Sequence, residues 1–109
     1  MKAPSLGAMR HRLTIESPVD TPDGFGGLIR SFVARANISA AIEHVKIFQR
    51  AAASSETVEI THLIHVRSSA DVAAGWRLRK GARRFEISAV LPDDQASGFI
   101  ICHCRELAP

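Results

Sequence analysis

Between Thr57 and Arg67 the chain alternates, with Val58, Ile60, His62, Ile64 and Val66 on even positions and Thr57, Glu59, Thr61, Leu63, His65 and Arg67 on odd ones. Successive side chains of an extended chain point to opposite faces, whereas an amphipathic helix needs apolar residues three and four apart. The period of two therefore predicts a long strand with its even face buried. Charges and hydroxyls on the odd positions predict that the other face is wet. Such a strand needs partners, and the rest of the chain supplies segments of the same kind.

On the N-terminal side, His11, Leu13 and Ile15 alternate with Arg12, Thr14 and Glu16 from Arg10 onward. This reads as a first strand that Ser17-Pro18 should stop, because proline restricts its neighbour and cannot donate to a ladder. Asp20-Thr21-Pro22-Asp23-Gly24-Phe25-Gly26-Gly27 follows, too rich in turn formers for regular structure. Its glycines lack the G-x-G-x-x-G spacing and no Lys-Ser/Thr pair follows, so it reads as a hairpin connection and not a phosphate cradle. Leu28 to Val45 reads as two strand pieces joined by a bend near Ala36-Asn37, with Leu28, Arg30, Phe32, Ile38, Ala40 and Ile42 on one phase. Lys46-Ile47-Phe48-Gln49-Arg50-Ala51-Ala52-Ala53 is alanine-rich and is expected to form a turn or two of helix ended by Ser54-Ser55.

After the central strand, Ser68 to Gly75 is a polar, small-residue connection. Trp76-Arg77-Leu78-Arg79 begins a short strand, Lys80-Gly81-Ala82-Arg83 makes a hairpin turn, and Phe85, Ile87, Ala89 and Leu91 then alternate with Arg84, Glu86, Ser88 and Val90. Pro92 to Gly98 is turn-rich, and Phe99 to Glu106 is a last strand with Ile100, Cys102 and Cys104 on one phase. The expected fold is mainly β, a small antiparallel β-barrel of about six strands with long loops and one short helical excursion. Residues 1–9, with Pro4 and Gly7, read as a flexible leader, and residues 10–107 as a single domain.

With 109 residues and 46% apolar content the chain can bury one core and not two, and it is not a disordered protein. Aromatics are 6% and tyrosine is absent, so Ile, Val, Leu and Ala must build that core. A thin core of this kind is a reason for a domain to bury more apolar surface against copies of itself or a partner. The net charge of +3 is mildly basic, compatible with nucleic acid but common among ordinary domains. No apolar run is long enough to cross a bilayer, and the start lacks the apolar centre of a secretory signal, so a cytoplasmic product without membrane contact is expected.

Little in the chain points to chemistry. Cys102 and Cys104 share a strand face, too widely spaced for an easy mutual disulfide, and His103 points away from both, so they read as two small core residues. Of the histidines His11, His44, His62, His65 and His103, the pair His62 and His65 lies an odd number of residues apart and cannot ligate one ion without a bulge. There is no nucleophile elbow and no H-E-x-x-H. No catalytic residue, metal or cofactor is expected, and the protein is not expected to be an enzyme.

Six pieces in order, Arg12-Leu13-Thr14-Ile15-Glu16, Asp23-Gly24-Phe25-Gly26-Gly27, Thr61-His62-Leu63-Ile64-His65-Val66-Arg67, Gly75-Trp76-Arg77-Leu78, Arg84-Phe85-Glu86-Ile87 and Cys104-Arg105-Glu106, resemble the head-tail joining proteins of tailed bacteriophages. The resemblance runs from Arg10 to Glu106. The chain departs from it at Ile38-Ser39-Ala40-Ala41, where the family often has an aromatic, and at Phe85, where the family has tyrosine. The resemblance implies a small β-barrel of a virion or phage-like particle, assembled in the host cytoplasm and placed in the neck between head and tail. It implies a ring of copies, commonly a hexamer, with portal and adaptor proteins above, tail terminator or tail proteins below, and packaged double-stranded DNA in its channel. Such a ring is a stopper that closes the head; phages, prophages and gene transfer agents use similar proteins.

Three surfaces follow as candidates. The resemblance implies that the segment after the second strand, with Lys46, Ile47, Phe48, Gln49 and Arg50, reaches the channel, where a ring of Lys46 and Arg50 would attract a DNA end. The same segment could instead clamp an adjacent copy through Ile47 and Phe48. Arg77, Arg79, Lys80, Arg83 and Arg84 are the densest charge, a basic hairpin for DNA phosphates, an acidic neighbour or solvent. Asp23, Gly24, Phe25, Gly26 and Gly27 form a long loop suited to an interface. Two rival classes stand beside this reading: a small OB-like barrel whose main task is binding nucleic acid, and a small metal-dependent enzyme.

Overall fold

In the computed structural model, residues 9–50, 56–93 and 98–108 are described. They form six strands, β1 (His11–Pro22), β2 (Leu28–Arg50), β3 (Thr57–Arg67), β4 (Arg77–Lys80), β5 (Arg83–Pro92) and β6 (Phe99–Glu106). Every pairing is antiparallel, and the order β1-β2-β3-β6-β5-β4 closes on itself because β4 returns to β1 through Thr14, Ile15 and Glu16. Each strand sends side chains into one core: Leu13 and Ile15, Ala40, Ile64 and Val66, Leu78, Phe85 and Ile87, then Cys102 and Cys104. This is the mainly β barrel that the alternations predict.

The second strand does most to shape the molecule. β2 runs for 23 residues. Its first part, Leu28 to Ala40, pairs with β1, and its second part, Ala41 to Arg50, pairs with β3. No single neighbour matches its length, so both ends run past the closed barrel and the molecule measures 49 × 32 × 25 Å.

Three bulges adjust the ladder, and two of them, at Arg35 and Ser88, correct an expected phase. Ile15 pairs with Ala36 and Glu16 with Ala34, so Arg35 is an extra residue in β2. The expected bend near Ala36-Asn37 is this bulge within one continuous strand. It moves the even positions of Leu28, Arg30 and Phe32 to the face opposite Ile38 and Ala40, because one extra residue inverts a period of two. Next, His44 pairs with His62 and Ile47 with Ile60, which puts Val45 and Lys46 together opposite Thr61. Ile87 pairs with Cys104 and Ala89 with His103, leaving Ser88 extra. Beyond Ser88 the phase reverses: Val90 packs against the core, and Leu91, expected inside, is 45% exposed.

Two further expectations fail for related reasons. Ser17-Pro18 does not end β1, which continues to Pro22. Beyond Glu16 this strand pairs only with β2, so a proline that cannot donate is tolerated on its outer edge. Lys46 to Arg50 do not start a helix; they are strand, paired with Ile60, Glu59, Val58 and Thr57 through Ile47, Phe48, Gln49 and Arg50. Pairing with β3 overrides the weak helical preference of that sequence. Residues 51–55 of the expected excursion lie outside the described residues, and no described residue is helical. The expected leader is likewise outside them except Met9, which is buried.

The central strand has less of a wet face than its sequence suggests. Leu63 and His65 on the odd face are buried, Leu63 in a second cluster with Ile60 and Ile101 against Val45 and Val58. The connection between β4 and β5 is two residues long. Gly81 opens the β4–β5 turn at φ +60 while Ala82 keeps negative φ, the pattern of a type II′ hairpin.

Ile64 is fully buried in the main core, so Ile64→Asp should leave a charge without a partner at a cost of several kcal/mol, set against a total stability of about 5–15 kcal/mol. The expected outcome is loss of the β-sheet circular dichroism signal and of a cooperative melt; a soluble, cooperatively melting variant would refute this placement of β3.

Candidate functional site

At one end of the barrel β1 and β2 leave the sheet together as an arm. Beyond Glu16 and Ala34 they pair only with each other, from Ser17 and Val33 out to Pro22 and Leu28. Asp23 organises the tip: its Oδ1 accepts hydrogen bonds from the backbone N–H of Phe25 at 2.7 Å and of Gly27 at 3.0 Å. Those two donors hold its carboxyl below the ordinary range. Gly24 and Gly26 sit at φ near +85, where a side chain would be strained. Phe25 is therefore held out at the tip, 94% exposed. Behind it Leu28, Ile29, Val19 and Val33 are exposed too, and the register puts Val19, Ile29 and Val33 on one face of the arm. The arm is stiffened across its strands by the Arg30–Asp20 ion pair, with Arg30 Nε donating to Asp20 Oδ1 at 2.8 Å, and at its base by the Arg77 guanidinium 3.6 Å from the Phe32 ring centroid. A rigid support under an exposed apolar surface is what an interface needs.

The other end of β2 carries Lys46, Ile47, Phe48, Gln49 and Arg50. Lys46 and Arg50 are exposed, Phe48 is 61% exposed, and Gln49 lies 3.4 Å from His103. The strand thus presents charge and an apolar ring together at its end.

The basic hairpin is placed differently from its appearance in the sequence. Arg79 Nε donates to Glu16 Oε2 at 2.9 Å, and that carboxylate is nearly buried. Arg83 grips Glu106 with two hydrogen bonds of 2.8 and 3.1 Å, which holds the Glu106 carboxyl below its usual range. Arg84 donates to the backbone oxygen of Ala108, Lys80 lies 2.6 Å from His11 Nδ1, and Arg77 covers Phe32. Each of the five cations is engaged within the chain. They join β4 and β5 to β1, β2 and β6, so much of their charge serves the barrel seam.

The histidines and cysteines form no centre. Burial pushes the Cys102 thiol up to about 12 and raises Cys104 as well. His62 is stacked edge-on against His44 and Phe85, while His65 lies 3.5 Å from Glu43 and 3.6 Å from Asp93. Among the described residues no group of three or more His, Cys, Asp or Glu could hold a metal ion.

One feature escaped the sequence. A groove of about 750 Å³ lies between β2 from Ala34 to Ser39 and the chain just after β3, rimmed by Arg12, Arg35 and Arg67. These arginines are far apart in sequence, and the bulge that places Arg35 has no sequence signature.

A family model described as phage head completion protein matches residues 4–107. The fold is similar to the solution structure of a Shigella flexneri 2a protein, with a TM-score of 0.69 and 24% identity, covering 96% of this chain and 98% of that one. It is also similar to a chain from the virion of a native gene transfer agent particle, with a TM-score of 0.67 and 24% identity over 92% of this chain and 96% of the other. At that identity the likeness carries the fold. No curated protein matches the chain.

Burial is the main cause holding His11, His62 and His103 below the ordinary imidazole value of 6.5. The unfolded chain then binds more protons than the folded one just below that value. Stability from these histidines is complete above about pH 6.5 and is lost as pH falls through it toward their lower folded values. Urea midpoints should therefore fall from about pH 7.5 to 5, and His62→Gln should flatten the fall; a midpoint constant over that range would refute it.

Proposed function

The chain belongs to the phage head completion protein family, and from that membership we propose that it is a non-enzymatic structural protein of the neck of a phage or phage-like particle, forming a ring, hexameric in our reading, below the portal and adaptor. The ring closes the DNA channel and offers its lower surface to tail proteins. The observation that carries the proposal is the family match across almost the whole chain. It is supported by the similar chain in a gene transfer agent virion and by a barrel whose exposed apolar groups concentrate on two projections. Residues 10–107 act as one domain, assembled into the particle from the cytoplasm.

Within that reading the arm, with Asp23, Gly24, Phe25, Gly26 and Gly27 at its tip, is a lateral or axial contact in the stack. The stripe of Val19, Ile29 and Val33 is the surface a neighbour would cover, and at about 25 cal/mol per Å² its burial would supplement a thin core. The end of β2 from Lys46 to Arg50 points to the channel, where repeated Lys46 and Arg50 would hold a DNA end by charge. The basic hairpin, Arg77, Arg79, Lys80, Arg83 and Arg84, keeps some capacity toward an acidic neighbour or DNA. Its internal pairing makes it a weaker candidate than the strand end, and it weakens the alternative of an OB-like nucleic-acid binder.

Charge reversal separates closure from clamping. With Lys46→Glu and Arg50→Glu together, closure predicts that rings still form and that packaged DNA leaks from tailless heads, scored by nuclease sensitivity and particle imaging. Rings that fail to form would support the clamp, and intact rings that retain DNA would defeat closure. The arm has its own test. Phe25→Ser with Leu28→Ser should change stability by no more than about 0.5 kcal/mol, because both side chains are exposed, yet should stop incorporation into particles. Normal incorporation would remove the arm from the interface.

A further inference from the structure

We infer that the groove beside Arg35 is a docking site for an extended, acidic segment of a partner polypeptide, which adds to the open edge of β2. Two independent observations carry this. The first is a strand edge without a partner. From Ala34 to Ser39, β2 pairs with β1 on one side, and its pairing with β3 begins only at Ala41. On the β3 side these residues have no strand neighbour among the described residues, and they form one wall of the groove. Backbone donors and acceptors along such an edge are a template for one more strand, and six residues of it span about 20 Å.

The second observation is charge. Arg12, Arg35 and Arg67 line the groove, against one carboxylate, that of Asp71. Arg12 donates only to the hydroxyl of Ser39, at 3.2 Å, and Arg67 lies over the Phe99 ring, 5.6 Å from its centroid. Arg35 has no hydrogen-bond or ion-pair partner among the described residues. All three side chains are exposed. They contrast with Arg79 and Arg83, whose carboxylates come from within the chain. Guanidinium groups left without carboxylates fit a carboxylate-bearing ligand, to which each can bond in bidentate fashion.

A polypeptide is favoured over a phosphate backbone because the groove is not purely polar. Ile15 and Ile38 form part of its lining, suited to the alternate apolar side chains of an extended peptide. The Arg35 bulge supports the same reading, since a bulge beside a binding edge re-aims a side chain. The site is separate from the Lys46–Arg50 end of the strand, and it does not depend on whether that end closes a channel.

The test uses the full chain, uniformly labelled with nitrogen-15, and three probes at about 50 mM salt, where charge is weakly screened. These are an acetylated seven-residue peptide alternating valine with glutamate, its glutamine analogue, and a short duplex DNA. The expected result is saturable shifts of the amides from Ala34 to Ser39 with the glutamate peptide. Affinity should be at least about tenfold weaker for the glutamine analogue and for the protein with Arg12→Ala and Arg35→Ala, which as exposed substitutions should keep the wild-type melt. No shift along this edge would show that the bulge and its charges only blunt the edge, and would overturn the proposal. Equal binding of the glutamine analogue would remove the role of the arginines. Tighter binding of DNA at the same amides, lost with the arginine substitutions, would replace the peptide by a phosphate backbone and overturn it as well.

Discussion

The partner switch of β2 at Ala40-Ala41 is the constraint on which the rest of the molecule depends. A strand of 23 residues that gives its first part to β1 and its second to β3 shears the sheet, and shear is what lets six short strands close into a barrel. Closure then pairs most edges of the barrel itself and leaves open, among the described residues, the β2 edge before the switch and the outer edge of β1 beyond Glu16. Ala40 is fully buried and Ala41 is 7% exposed, so the crossover is marked by the smallest side chains on the strand. Larger residues there would have to fit between Leu13, Ile64 and Cys102, which occupy the same core.

Much of this was legible in the sequence where alternation was unbroken. The run from Thr57 to Arg67 is one strand, as its period of two implies, and His11 to Ile15, Phe85 to Ile87 and Ile100 to Cys104 lie in strands for the same reason. What was not legible is where alternation is reset. Arg35, the Val45-Lys46 pair and Ser88 each add one residue against a partner strand, and nothing in their own chemistry announces it. A bulge is defined by two strands, while a sequence pattern is read along one. The helix expected from Lys46 failed similarly: three alanines next to Arg50 favour helix by local preference, but Ile47 and Phe48 gain ladder hydrogen bonds with β3 that a helix would forfeit.

The charges show the same limit. Five cations between Arg77 and Arg84 made the densest basic cluster in the chain, yet Glu16 lies 63 residues from Arg79 and Glu106 lies 23 from Arg83, and closure of the barrel brings those carboxylates to them. These partly exposed pairs contribute little stability each, typically below 1 kcal/mol, but they join β4 and β5 to β1 and β6. Arg12, Arg35 and Arg67, scattered along the sequence, are brought together by the same closure. Density along the chain is therefore a poor guide to free charge in space.

A single strand consequently links all the surfaces proposed above as contacts. The apolar arm occupies the first overhang of β2, the Lys46–Arg50 segment its far end, and the arginine groove the stretch between, just before the partner switch. The bulge at Arg35 shifts the phase of β2 while β1 alternates unbroken, so Val19, Ile29 and Val33 lie on the arm face that continues the side of Leu13 and Ile15. Deleting Arg35 would leave the pairs between β1 and β2 and the stripe in place and would take away only the side chain that the bulge aims at the groove.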